Sequence, residues 1–464
     1  MKFSVLNPTE ENIQETLLND QLGRNEELRQ FVRLLNSIDG NCTIALDGDW
    51  GSGKTFFVKQ AQMIIDSFNE YKNKKAISEK DKENIKMVKD KFSDLGIKLQ
   101  ATAYYDAWEN DNEDDPLLSI LFAIISAADC NEDYFTKRPA EKRPSTLLKT
   151  ITDIASTKFL GISAKNLLDN LSGQDIFKEL KERQNLKNEI NEFINTLIPI
   201  GSKRLIIFID ELDRCKPNYA VQMLERIKHY FSNPQVIFVL AINSFELQNT
   251  IKQYYGNDFN AYQYLDRFFD LKIDLKLIDI NKFIELRGLW SDDEYKMDIC
   301  YSADRVLAKF FHFSMRMTDR YFKQVRIIQK NVLTKLDDFH DEKQQNAYYF
   351  LSTYVAPILV ALKLYSINEY REFVDGNRRE LFTNICNAYH NDIGLKNDID
   401  TLFSANTLMN SNVFNSKIEE LYEYIFTNNP RKYNKQFNDY MFLDTMIQDF
   451  LLSTNILSRL SNFE

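Results

Sequence analysis

The residues with the clearest chemical purpose are Gly48-Asp49-Trp50-Gly51-Ser52-Gly53-Lys54-Thr55. Glycine is scarce, with 13 in 464 residues, yet three of them fall inside this octet. Gly51 and Gly53 let the backbone turn tightly or adopt left-handed conformations, so that successive N–H groups can face one anion. A helix starting near Lys54 presents its positive dipole end at the same point. A lysine that reaches the β- and γ-phosphates and a hydroxyl that ligates magnesium complete a nucleoside-triphosphate loop of the Walker A pattern, with Lys54 and Thr55 in those roles. An ordinary glycine turn would need neither the lysine nor the hydroxyl.

A second constellation is the apolar run Leu205–Ile209 closed by Asp210-Glu211. A Walker B strand ends this way because a carboxylate must meet the magnesium shell at the carboxyl end of the sheet, and Asp210 suits that place. Glu211, one residue on, is suited to take a proton from an attacking water, a role that a pure nucleotide binder does not need. Asn243 follows another apolar run, Val236–Ile242, where it either orients the lytic water or senses the γ-phosphate, or caps the next helix.

These groups require a sheet to hold them, and the sequence supplies five candidate strands. They are Thr43–Leu46, Leu99–Tyr105, Leu205–Ile209, Val236–Ile242 and the alternating stretch Asp270–Leu277. An amphipathic stretch, Asp20–Ile38, precedes the first strand, with Leu22, Leu28, Phe31, Leu34 and Leu35 at helical spacing. After the glycine loop, Phe57, Ala61, Ile64 and Phe68 step by three or four, as on a helix. The expected fold is therefore α/β: a phosphate-loop domain over residues 1–277 with a central, mostly parallel five-stranded sheet. Residues 71–98 and 132–200 read as helical insertions, 278–335 as a helical lid and 336–464 as an α-helical C-terminal domain. That last region is dense in aromatics, including Tyr348-Tyr349-Phe350, Tyr422, Tyr424, Phe426, Tyr440 and Phe442, which suit either a partner surface or a helical core.

Composition narrows the class. Hydrophobic residues at 44% and charged residues at 27% are globular values, while 34 Phe and 23 Tyr against 9 Pro disfavour turn-dense all-β architectures. A net charge of −10 gives no support to direct nucleic-acid binding, since phosphate contact needs positive surface. Cys42, Cys130, Cys215, Cys300 and Cys386 are scattered, and His229, His312, His340 and His390 lack ligand spacing, so neither a disulfide framework nor a metal centre is signalled. The opening MKFSVLNPTEEN lacks the apolar core of a signal peptide. Pro116–Ala128 and Phe350–Leu362 are shorter than the roughly 18–20 residues that span a bilayer. A cytoplasmic protein without an integral membrane segment is expected.

The blocks GDWGSGKT, YYDAWEND, LIIFIDELDRCKP, VIFVLAIN and YLDRFFDLKIDL together resemble the KAP family of P-loop NTPases, over about Asp20 to Asn331. The resemblance implies ATP at Gly48–Thr55, Mg²⁺ at Thr55 and Asp210, and hydrolysis through Glu211. It places Asp213 and Arg214 in the wall of the active site and Trp108 in packing beneath the nucleotide. Arg267 matches a basic position ahead of the edge strand, a candidate for action on the γ-phosphate across a subunit interface. Arg316 resembles the start of the family's lid, where an arginine can contact the same phosphate from its own chain. Each arginine is equally compatible with a surface ion pair. The chain departs from many members in lacking transmembrane helices between its Walker elements, and in carrying Asn243 where Asp is more common. Soluble bacterial members are associated with antiphage defence, which implies an ATP-driven switch beside separate effector proteins, with a homo-oligomer as a further expectation. Two rival functions are a nucleotide-gated scaffold with slow turnover and a DNA-processing motor.

Overall fold

The computed structural model describes residues 7–69, 79–113, 115–128, 187–195, 198, 202–276, 278–286, 296–403, 411–427 and 434–460. Most of the insertion expected at 132–200 lies outside them. The chain divides into two compact units, one of Leu6–Leu277 and the other holding Ile278–Glu464.

The first unit is built on five parallel strands: β1 (Cys42–Asp47), β2 (Ala101–Asp106), β3 (Leu205–Asp210), β4 (Val236–Ile242) and β5 (Leu271–Asp274). Their order across the sheet is β2-β3-β4-β1-β5, so β4 separates the phosphate-loop strand from the strand of Asp210. Strands buried on both faces read as continuous apolar runs, and β3 and β4 are buried along their whole length. Alternate residues serve opposite faces. Ile207, Ile209, Phe238 and Leu240 pack with helices Pro116–Ala128, Pro217–Tyr230 and Ser244–Tyr255, whereas Ile206, Phe208, Ile237 and Val239 pack with helices Asn25–Ser37 and Lys54–Ser67. The lysine-rich segment after Tyr71 contains a helix, Glu79–Lys91, whose Val88 joins that second core with Phe92 behind it.

Register brings the strand ends into line. Asp106 lies opposite Asp210, Asp210 opposite Ala241, and Asp47 opposite both Ile242 and Asp274. Four carboxylates thus crowd one edge of the sheet, where cations are the natural counterweight.

The second unit is a helical assembly around buried Tyr321, Tyr348, Tyr354, Tyr389 and Tyr422. Its elements include helices Lys296–Phe310, Met315–Leu333, Arg379–His390 and Ser411–Phe426 and a small antiparallel hairpin of Lys435–Phe437 with Tyr440–Phe442. Leu307, Tyr321 and Val332 share one apolar core with Tyr348, Ile385 and Tyr422, so the lid and C-terminal regions that were expected separately pack as a single body. The aromatics weighed as a partner surface mostly fill that core: Tyr348, Phe350, Tyr422, Phe426 and Phe442 are buried. Among the described residues one helix, Glu342–Tyr365, is apolar and long enough to cross a membrane, and 83% of its apolar window is buried inside the protein. It contains a π-helical stretch, Leu351–Val355, just ahead of Pro357, whose missing N–H disrupts the regular ladder.

Candidate functional site

The phosphate loop leaves β1 at the carboxyl edge of the sheet. The Gly48 N–H donates to the Ile242 carbonyl at 3.1 Å, which extends the β1–β4 pairing by one step. A Cβ on Gly48 would stand 2.9 Å from Ser52 Oγ and 3.4 Å from Leu275 Cβ, so a larger residue would force the Ser52 side chain to move. Gly51 and Gly53 have φ of 79° and 92°, the left-handed conformations that their positions were expected to need. Gly53 then caps the helix Lys54–Ser67.

Lys54 is buried, and its ammonium donates to the carbonyls of Gly48 at 2.5 Å and Asp49 at 3.2 Å. Burial lowers its pKa, against the pull of Asp213, Asp210, Glu211 and Asp47. The neighbouring Thr55 hydroxyl faces Asp210 and favours its ionised form. Asp210 also accepts the Tyr104 hydroxyl at 3.1 Å and the Glu211 N–H at 2.9 Å. Even so, complete burial drives its pKa upward, the mark of a carboxylate whose charge is not fully compensated within the chain. The chain's own residues fit a divalent cation here, because Asp210 and Thr55 offer hard oxygen donors at an edge with excess negative charge.

Glu211 follows β3 in a left-handed conformation, φ 60°, which costs a non-glycine residue about 1 kcal/mol or more. Burial and the adjacent Asp210 push its pKa up to about 7, while Arg214 opposes that rise. Arg214 Nε lies 2.5 Å from Glu211 Oε2. Trp50, inside the phosphate loop, donates its indole N–H to Asp213 Oδ2 at 2.6 Å, and the other Asp213 oxygen is buried without a partner. Ser52 Oγ is likewise buried and unpartnered. Trp108 is 52% exposed with the Arg214 guanidinium above its ring, so it flanks the site at the surface instead of packing beneath it.

Three sequence candidates remain. Asn243 Oδ1 accepts the N–H groups of Phe245 at 3.1 Å and Glu246 at 3.2 Å, so its acceptor is spent on capping the helix Ser244–Tyr255. Arg267 is exposed and follows the helix Ala261–Asp266, three residues before Asp270, whose N–H donates to Thr43. Thr43 is near the amino end of β1, and at about 3.3 Å per residue the strand carries the phosphate loop roughly 16 Å away from it. The backbone that follows Arg267 therefore enters the sheet at the end opposite the loop. Arg316 is exposed in the first turn of the helix Met315–Leu333, in the second unit.

Three supports have no motif in the sequence. Arg24 is buried and donates to the Ser52 carbonyl at 2.9 Å and to the Lys276 carbonyl, bracing the loop from behind, and burial lowers its pKa to about 10. Asp47 accepts the Ser244 N–H at 2.8 Å and the Ser244 hydroxyl, and pairs with Lys272 at 3.0 Å. Burial works against its ionisation, but those donors outweigh it and hold the pKa below the ordinary value. Tyr104, beneath Asp210, carries the Lys59 ammonium 4.5 Å from its ring centre.

A parallel sheet with a glycine loop after β1, a carboxylate at the end of β3 and a strand between them defines a P-loop nucleotide-binding domain. Residues 24–332 match the KAP family P-loop domain, and the chain belongs to that family of P-loop NTPases. A stretch of 157 residues is also 32% identical to the uncharacterized protein MJ0182 of Methanocaldococcus jannaschii, covering 33% of this chain and 68% of that one.

Proposed function

We propose that the chain is a magnesium-dependent ATPase in which Glu211 is the general base. The observation that carries this reading is the meeting, at one edge of the sheet, of the phosphate loop, the Thr55–Asp210 pair and the Glu211 carboxylate. Backbone N–H groups of Asp49 to Thr55 receive the phosphates, and Lys54 exchanges loop carbonyls for phosphate oxygens. Thr55 and Asp210 hold Mg²⁺, which when bound offsets charge on the β- and γ-phosphates. Glu211 accepts a proton from the attacking water as the new P–O bond forms and the bond to the β-phosphate oxygen breaks, giving ADP and phosphate. The test is release of inorganic phosphate from ATP with and without Mg²⁺, with GTP as the comparison substrate. The reading requires turnover that depends on Mg²⁺ and vanishes in Lys54→Ala.

For the destination of that turnover, the likeness to soluble bacterial members of the family supports an ATP-driven switch in an antiphage complex with separate effector proteins. Phage plating efficiency on cells carrying the intact chain or Lys54→Ala, each with its neighbouring genes, tests it. Equal plating on both would reject the defence role.

A further inference from the structure

Arg214 joins parts of the site that are distant in sequence. Its guanidinium pairs with Glu211 and stands 5.9 Å from the ring centre of Trp50 and 5.4 Å from that of Trp108. Trp50 belongs to the phosphate loop, and its indole N–H is anchored on Asp213, the residue before Arg214. The short 3₁₀ turn Leu212–Arg214 begins at Glu211, so residues 211 and 214 fall on the same side of it. This is no loose surface pair: the side chains of Arg214 and Glu211 are 22% and 17% exposed.

That arrangement works against catalysis. Arg214 occupies one of the two Glu211 oxygens, Oε2, and its positive charge makes the carboxylate a weaker base toward water. A guanidinium, however, matches a phosphate at least as well as a carboxylate, because its planar donors suit two oxygens of one multiply charged group. The terminal phosphate of a nucleoside triphosphate brings such a group to the loop that carries Trp50.

We propose that Arg214 is a positioning residue: it holds Glu211 in the empty site and passes from that carboxylate to the terminal phosphate when a nucleoside triphosphate enters. The base is then released only when there is a phosphate to hydrolyse. A diphosphate lacks the group that draws the arginine away, so it leaves the Glu211 pair closed. No covalent bond changes in this exchange. The proposal rests on the reading of Glu211 as the general base.

Tryptophan emission and nucleotide binding report the exchange directly. Parent protein and Arg214→Gln are titrated with a non-hydrolysable ATP analogue and with ADP, each with Mg²⁺, and affinities are read by calorimetry. Emission from Trp50 and Trp108 should change with the analogue and not with ADP, and the change should be absent in Arg214→Gln. Because Trp290 is present in both proteins, the difference between them isolates the indoles beside Arg214. Arg214→Gln should lower the preference for analogue over ADP by about tenfold or more, the scale of one lost charged contact, while ADP affinity stays within about threefold. Arg214→Lys should recover part of that preference. An equal emission response to ADP and analogue, or an unchanged preference in Arg214→Gln, overturns the proposal while leaving the ATPase reading intact. Absence of nucleotide binding in the parent overturns both.

Discussion

The carboxyl edge of the sheet and the helical core of the second unit both bury many polar groups, but they treat them differently. In the helical core, three of the buried tyrosines close on acceptors within the chain, although the Tyr348 hydroxyl and one Asp304 oxygen are buried without a partner. Tyr354 donates to Asp398 at 2.7 Å, Tyr389 to the Tyr354 carbonyl at 3.2 Å, and Tyr422 to the Phe373 carbonyl at 2.7 Å. At the sheet edge, Ser52 Oγ and one Asp213 oxygen have no partner, Lys54 reaches only carbonyls, and Asp210 is buried beyond what its donors offset. What sets the sheet edge apart is the company its unpartnered atoms keep: they stand beside a buried lysine and a glycine loop with left-handed glycines, where a ligand can complete them.

The largest expected break in that contrast is Lys54→Ala. A hydrogen bond to a charged group is worth ~1.5–3 kcal/mol, so the loss of this ammonium should weaken nucleotide binding by ~10–100-fold. Calorimetric titration checks this, and unaltered affinity would remove Lys54 from the site.

Arg24→Ala should cost about 1–3 kcal/mol of stability, because the Ser52 and Lys276 carbonyls lose a buried donor. Its melting temperature should fall by several degrees and nucleotide affinity should fall with it. A fall in stability with full affinity would mean that the loop keeps its shape without this brace.

Asp304 sharpens the comparison from the other side. It is fully buried in the helical core, accepts the Tyr321 hydroxyl at 2.9 Å, and burial raises its pKa well above the ordinary carboxylate value. Such a group contributes full stability below its unfolded pKa, near 4, and that contribution is lost as pH rises through the folded value. Asp304→Asn keeps an acceptor for Tyr321 without the proton to lose. Its melting temperature should therefore fall less than the parent's as pH is raised, and parallel curves would show that Asp304 does not titrate with unfolding.

The smallest expected effect is that of Arg267→Ala, which should leave the turnover of isolated chains within about twofold, as for an exposed charge away from the chemistry. Mixing it with Glu211→Gln tests action in trans. Restored activity in associated chains would supply the residue that the chain's own geometry keeps away from its loop.

Much of this site was legible because each role admits few residue types. Glycines at positive φ, a lysine and a hydroxyl at a helix start, and carboxylates after an apolar run can be read locally. Arg24, Asp47 and Tyr104 could not be read in this way, since their partners lie far along the chain and only the folded sheet and its loops bring them together. The chain after Arg267 joins the sheet at its amino end, through the Asp270 N–H and the Thr43 carbonyl, which its sequence block does not reveal. Asn243 was open between two roles, and the N–H groups of Phe245 and Glu246 account for its acceptor. In the helical unit, aromatic density does not distinguish a core from a partner surface. The hairpin strands at Lys435–Phe437 and Tyr440–Phe442 are three residues each, too short for periodicity to show.

The most direct test of the account is Glu211→Gln, which preserves shape and removes the base. ATP binding should be retained while kcat falls by about 10²–10⁴, the usual contribution of a positioned general base. Equal rates of phosphate release in the parent and in Glu211→Gln would contradict the assignment of Glu211 and with it the catalytic reading of this edge of the sheet.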